Sequence, residues 1–470
     1  MTSTLALRRR AEVEAKLKSL DEEIAHWTKV TEEAERGLRR HYSQVRRLAA
    51  VFAGLTESVK AAIAIPSDDP EAVFESAEDW ENEILAAHAV WEVFRSKLVL
   101  REDESFRDRL AACDDLAWAC YAPAMRHFSG VRKEPPLVYF TATWSAFAVS
   151  RDSSFENEVR ASHGSAAALG DDGFQDVLAK LPIPLIGVPW YHVSHLPGAI
   201  AIAHEAGHVV ESDFDLKAAI KLALDGARLD HPQLWEGWAS EVFADLYGCL
   251  CMGPAYVAVV MDLLSTRRED IRTEERWSGR YPSRALRVEI LLAALDACGH
   301  GAQIKRLRAI WEEAYGPMQT MLSVRDDVGR AVPALYAGPY QGRALSEIVS
   351  PFPADAAGLV EELGEKAAGN YGELEPDVRL LFAAAQWVHE HAAPSQAGEA
   401  YQRIVTRLVQ PGATEFRMRG APVADKVSVE ADLKLLEEAD KQNGRELNAM
   451  RLRLTAAAKA SAEPPDPPES

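Results

Sequence analysis

The chain has 470 residues, of which 47% are hydrophobic and 26% charged, and a formal net charge of −20. This is ordinary globular composition, long enough for two or three domains and for a large core that needs no disulfides. The acidity argues against non-specific binding to nucleic acid or anionic lipid, which requires a basic surface.

The five cysteines, Cys113, Cys120, Cys249, Cys251 and Cys298, are scattered and form no CxxC pair. They read as buried thiols in a reducing compartment. The N-terminus, MTSTLALRRRAEVEAKLK, has no apolar run after its arginines, so it does not read as a secretory signal. The long uncharged stretch Leu181–Ala203 carries four prolines and two histidines and does not read as a membrane helix. The expected location is cytoplasmic, with no membrane partner.

The first segment, 1–62, is expected to be one long helix. From Leu17 through Ile24, Trp27, Leu38, Val45 and Leu48 to Leu55, apolar positions recur in steps of three and four, a heptad seam with Thr31 and His41 in its middle. Such a seam either pairs with another chain, as a homo-oligomer or with a partner protein, or folds back on the following helices. Residues 63–134 read as a second helical region, opening after Pro66 and closing at Pro135-Pro136. A core region is expected over 135–300. It starts with a strand or hairpin across Val138–Val149, then a polar loop around 162–173, then a short strand at Ile183–Val188. Helices follow at AIAIAHEAGHVVE, after Pro197-Gly198, and at LWEGWASEVFADLYGCL, after Pro232. Residues 301–460 read as helical, interrupted by a loop at 411–422, and 461–470 as a disordered Pro-rich tail. The fold class is therefore mainly α with a small β-sheet, an α+β arrangement.

The chemistry concentrates at His204-Glu205-Ala206-Gly207-His208. Helical residues four apart lie on one face, so the two imidazoles can hold one ion, and the intervening carboxylate falls beside the ion's open side. Two ordinary core histidines in register are the alternative. A catalytic zinc takes three protein ligands and leaves one position open. A third candidate stands downstream in Glu241-Val242-Phe243-Ala244-Asp245. Glu236 competes for that role. Five residues before Glu241, it points about 140° away around the helix, so both cannot face one ion.

HExxH on one helix and ExxxD on a later one resemble the gluzincin zinc metallopeptidases. The Glu-x-x-Ala-Asp form is similar to the CAAX prenyl protease and its bacterial heat-shock relatives. Tyr281-Pro282-Ser283-Arg284-Ala285-Leu286-Arg287 resembles that family's further segment at Pro282 and Arg287 only, and the family's transmembrane helices have no counterpart here. The resemblance spans roughly 183–292. It implies a gluzincin-like core holding one Zn²⁺ per chain on His204, His208 and Glu241, with Asp245 orienting His204. It implies Glu205 as general base, a protein or peptide substrate, and substrate addition to an edge strand, either Val138–Val149 or Ile183–Val188. Candidates for stabilising the oxyanion are Arg287, Tyr281, His231 and His300, in that order. Trp235 and Trp238 read as core or as a specificity pocket. The expected function is a zinc-dependent endopeptidase. The alternative is a catalytically silent scaffold or regulator working through its helical arms, with a structural zinc.

Overall fold

The computed structural model describes residues 4–33, 38–65, 69–128, 133–150, 182–274, 279–317, 322–375, 377–410, 434–435, 437–450 and 452–453. The expected loops at 162–173 and 411–422 and the tail at 461–470 lie outside them. The chain is mainly α with one small sheet. Among the described residues no helix is long and apolar enough to cross a membrane. The chain divides into two compact units. One comprises 1–102, 151–183 and 417–470; the other comprises 103–150 and 184–416.

In the first unit the N-terminal helix is not continuous over 1–62. Helix α1 (Thr4–Glu33) is followed by a 3₁₀ turn (Leu38–His41), α2 (Tyr42–Leu55), α3 (Glu57–Ala64) and α4 (Pro70–Val99). Leu17, Leu20, Ile24, Trp27 and Thr31 are all buried, with α1 packed against α2 and α4. An apolar stripe on a lone helix needs a partner to leave water, and the chain supplies its own by folding back.

The expected helical block 301–460 is likewise divided. Its end, 437–450, returns to the first unit. There Arg47 pairs with Asp440, with one N–H···O contact of 2.9 Å. A Cβ on Gly444 would lie 2.5 Å from the Val51 carbonyl oxygen, so two helix backbones approach there as closely as glycine permits.

The second unit starts at α5 (Glu104–His127), whose N-cap Asp103 accepts from the Ser105 amide. The sheet holds β1 (Leu137–Thr141), β2 (Phe147–Val149) and β3 (Leu185–Pro189), in the order β1-β3-β2. The β1–β3 pairing is parallel and the β2–β3 pairing antiparallel. Gly187 of β3 leaves room for the Phe147 ring, which a Cβ would meet at 2.5 Å. Since β3 is central and paired on both sides, Ile183–Val188 cannot be the edge strand. Among the described residues the outer strands are β1 and β2, the two halves of the 138–149 segment.

The rest is helical: α6 (Ile202–Asp213), α7 (Lys217–Gly226), α8 (Pro232–Met252), α9 (Pro254–Leu264), α10 (Arg268–Thr273), α11 (Arg284–Ala297), α12 (Gly301–Tyr315), α13 (Leu322–Ala337), α14 (Leu345–Ile348), α15 (Ala357–Gly369), α16 (Val378–His391) and α17 (Pro394–Val409). Helix α6 packs on β2, β3, α5 and α8. The compact core is therefore wider than 135–300, taking in α5 before it and α12–α17 after it. The physical reason is burial: α6 is buried on nearly every side, its His and Glu residues included, and needs neighbours all round.

Candidate metal centre

Helix α6 carries HExxH and α8 carries ExxAD, and small residues set the distance between them. A Cβ on Gly207 would lie 3.0 Å from Tyr247 Cβ and 3.1 Å from Ala244 Cα. That close approach brings Glu241 against both imidazoles. Glu241 Oε2 lies 3.2 Å from His204 Nε2 and 3.5 Å from His208 Nε2, and the two Nε2 atoms are 3.1 Å apart. A four-coordinate ion with bonds of about 2.0–2.1 Å separates its ligand atoms by roughly 3.3–3.4 Å. The triangle is therefore ion-sized, and this trio is the group of described residues able to hold a metal. Oε2 is also buried with no hydrogen-bond partner, an orphan that a cation would satisfy. Two nitrogens and one oxygen suit zinc.

The far nitrogens of the two rings have partners of their own. His204 Nδ1 lies 3.0 Å from Asp245 Oδ1 and 3.0 Å from the Tyr256 hydroxyl. Tyr256 donates to Asp245 Oδ1 at 2.6 Å, and Arg287 donates to both Asp245 oxygens at 2.8 Å. Asp245 only accepts, so the Nδ1 proton of His204 points at it. His208 Nδ1 lies 3.2 Å from Ser240 Oγ, and Ser240 donates its own proton to Glu211 Oε2. Ser240 therefore has only a lone pair to offer, and His208 donates to it from Nδ1. Both rings are set in the tautomer that leaves Nε2 as the free donor atom, the usual work of groups behind metal ligands.

The electrostatics point the same way. Burial tends to lower the pKa of His208, but the close carboxylates of Glu211 and Glu241 and the charge of Glu205 raise it to about 9. His204 is raised too, against burial, by Asp245 and Glu241. Burial pushes Glu241 and Asp245 up; the imidazoles outweigh this for Glu241, and Arg287 with His204 outweighs it for Asp245, so both carboxyls fall well below their usual range. The carboxylates facing the rings thus favour positive charge between them, whether carried by a proton or by a cation.

Glu205 is buried in α6, and among the described residues its carboxylate has no hydrogen-bond or ion-pair partner. Glu236 instead faces outward, paired with Lys221 at 2.8 Å. Tyr281 is exposed, its ring 5.4 Å from the Arg287 guanidinium carbon and 5.7 Å from that of Arg280. Burial, with the charges of Glu241 and Glu205 adding to it, raises its hydroxyl pKa, so it stays a donor.

Three of the oxyanion candidates change role. The buried Arg287 is committed to Asp245 by two hydrogen bonds, which makes it a positioning residue. His231 sits at the start of α8, its ring 3.4 Å from Asp327. His300 packs against Gly253 and Phe352. Trp235 and Trp238 are fully buried core, and Trp235 Nε1 donates to Asp327.

The sequence reading missed Tyr256, Ser240, Glu211 and Arg280. Glu211 was legible, three residues after His208 on the same helical face, and Ser240 adjoins Glu241. Tyr256 was not, because it reaches His204 from a separate helix across the gap left by Gly248, where a Cβ would meet its ring at 2.7 Å. Arg280, whose Nε donates to Glu241 Oε1, was not legible either.

Comparisons with protein-family models, with curated proteins and with solved structures find no match to this chain.

Proposed function

We propose that this chain is a zinc-dependent endopeptidase acting on protein or peptide substrates. The observation that carries this reading is the pair of Nε2 atoms and Glu241 Oε2, spaced for one ion and tautomerically fixed, with an unpartnered carboxylate, Glu205, beside them. Bound zinc would act as a Lewis acid, lowering the pKa of a water and polarising a carbonyl. Glu205 is the general base: it takes the water's proton and delivers it to the leaving amine. Tyr281 donates its hydroxyl proton to the oxygen on which negative charge develops. Asp245, held by Arg287 and Tyr256, keeps His204 oriented, and Ser240 with Glu211 does the same for His208. The five free thiols, four of them buried, suit a reducing, cytoplasmic setting.

The scaffold reading is weaker because a structural zinc is closed by four protein ligands. Here three donor groups converge, and the residue beside them is a base with no structural partner.

The deciding experiment compares wild type with Glu205→Gln. Both should hold one zinc per chain by elemental analysis, since Glu205 is not a ligand. Cleavage of native substrates, read as new protein N-termini in cells, should fall by about 10²–10⁴ in the variant. Identical cleavage products from the two would refute the peptidase reading.

A further inference from the structure

Glu241 presents its two oxygens to different neighbours. Oε2 faces the imidazoles at 3.2 and 3.5 Å, while Oε1 accepts from Arg280 Nε. The carboxylate is almost fully buried, yet 65% of the arginine side chain is exposed. Arg280 belongs to the short segment between α10 and α11. Gly279 before it takes φ +105°, a conformation open to glycine and strained for other residues. A Cβ on Gly237, one turn before Glu241 in α8, would lie 3.4 Å from the Gly279 carbonyl oxygen. The segment thus lies against α8 beside the ligand it grips. Tyr281 stands between the guanidiniums of Arg280 and Arg287, and Arg287 grips Asp245 with two bonds. One stretch, 280–287, therefore holds both acidic residues of ExxAD, one helical turn apart.

A carboxylate can meet a cation through one oxygen or through two. Two-oxygen ligation would add a ligand atom beside the three already there and crowd the fourth position, where a reacting water has to enter, so that the ion with its water becomes five-coordinate. We infer that Arg280 is a positioning residue that occupies Glu241 Oε1 and so restricts Glu241 to one-oxygen ligation, keeping that fourth position open. This rests on the metal-site reading above. It assigns to an exposed arginine on a connecting segment the control of coordination number.

The test uses the full-length chain loaded with cobalt(II) in place of zinc, followed by visible absorption. Four-coordinate cobalt absorbs strongly because its tetrahedral field lacks an inversion centre, and the band weakens when a fifth ligand atom enters. Wild type should give the strong band, Arg280→Ala a clearly weaker one, and Arg280→Lys should restore the strong band by returning a donor to Oε1. Far-ultraviolet circular dichroism of each variant establishes that the fold is kept. An Arg280→Ala spectrum identical to wild type overturns the inference and leaves Arg280 a surface ion pair. A wild-type band already of the weak, five-coordinate kind also overturns it. Failure of wild type to take up cobalt or zinc would instead bring down the metal-site reading itself.

Discussion

The Tyr256 hydroxyl donates to Asp245 Oδ1 at 2.6 Å while lying 3.0 Å from His204 Nδ1, so one phenol touches both members of the pair that orients the first imidazole. Tyr256→Phe keeps the ring and removes the donor, and Asp245→Asn leaves every ligand in place but removes the charge and turns one of the two accepting oxygens into an amide donor. Changes behind metal ligands commonly cost about 10–100-fold in affinity. Asp245→Asn should fall in that range and Tyr256→Phe near its lower end, measured by competition against a zinc chelator. Wild-type affinity in Asp245→Asn would show that His204 needs no fixed tautomer.

Gly207 tests the spacing of α6 and α8. A methyl there would press on Tyr247 Cβ at 3.0 Å and on Ala244 Cα at 3.1 Å. Overpacking of this kind typically costs about 1–3 kcal/mol. Gly207→Ala should lower the urea midpoint accordingly. It should also weaken zinc binding, because Glu241 moves away with α8. Loss of stability with unchanged zinc affinity would mean that the strain is relieved elsewhere.

Asp327 of α13 anchors the start of α8. It accepts from the amides of Asp230 and His231 at 2.8 and 3.0 Å and from Trp235 Nε1 at 3.3 Å, and it pairs with Arg330. Burial raises its pKa, but those amides and Arg330 outweigh burial and hold it below the usual carboxylate value. A depressed carboxyl stabilises the fold fully above the unfolded pKa of about 3.9, and that contribution fades as pH falls through the folded value. Asp327→Asn should therefore be less stable than wild type at pH 7, by about 1.5–3 kcal/mol, the range for hydrogen bonds to a charged group. The gap should narrow as the pH falls below about 4. A gap independent of pH would mean that the charge is not what matters.

In the first unit, Gly444→Val should be disruptive, since its Cβ would meet the Val51 carbonyl at 2.5 Å and Gly54 Cα at 3.1 Å, both backbone atoms. Helix interior valine adds little strain of its own, so the cost comes from separating 437–450 from α2. Limited proteolysis should cut the variant within 434–453 faster than wild type, while zinc affinity stays unchanged. Equal cleavage rates would show that α2 and this segment part without cost.

Local geometry made much of this legible. The four-residue spacings of His204 to His208 and Glu241 to Asp245 each put two side chains on one helical face, and that follows from helix pitch alone. Pro232 marked where α8 begins, whereas Pro197-Gly198 opens a 3₁₀ turn, Leu196–Ala201, and α6 starts only at Ile202. The 17–55 seam shows where this kind of reading stops. Its periodicity says that one face must be buried and is silent about what buries it, which turned out to be the chain's own α2 and α4.

The sequence by itself determined the helical character, the small amount of strand, the outward face of Glu236 and the presence of two imidazoles with a carboxylate between them. Each depends on residues a few positions apart, where backbone periodicity dictates geometry. Only the tertiary structure decided that Arg287 binds Asp245, that Tyr256 and Ser240 close on the far ring nitrogens, and that Arg280 takes one oxygen of Glu241. These contacts join elements separated by up to 52 residues, as for Tyr256 and His204. Whether they form depends on how closely two helices approach, which is set here by missing side chains, at Gly207 and Gly248, and leaves no periodic signal to read.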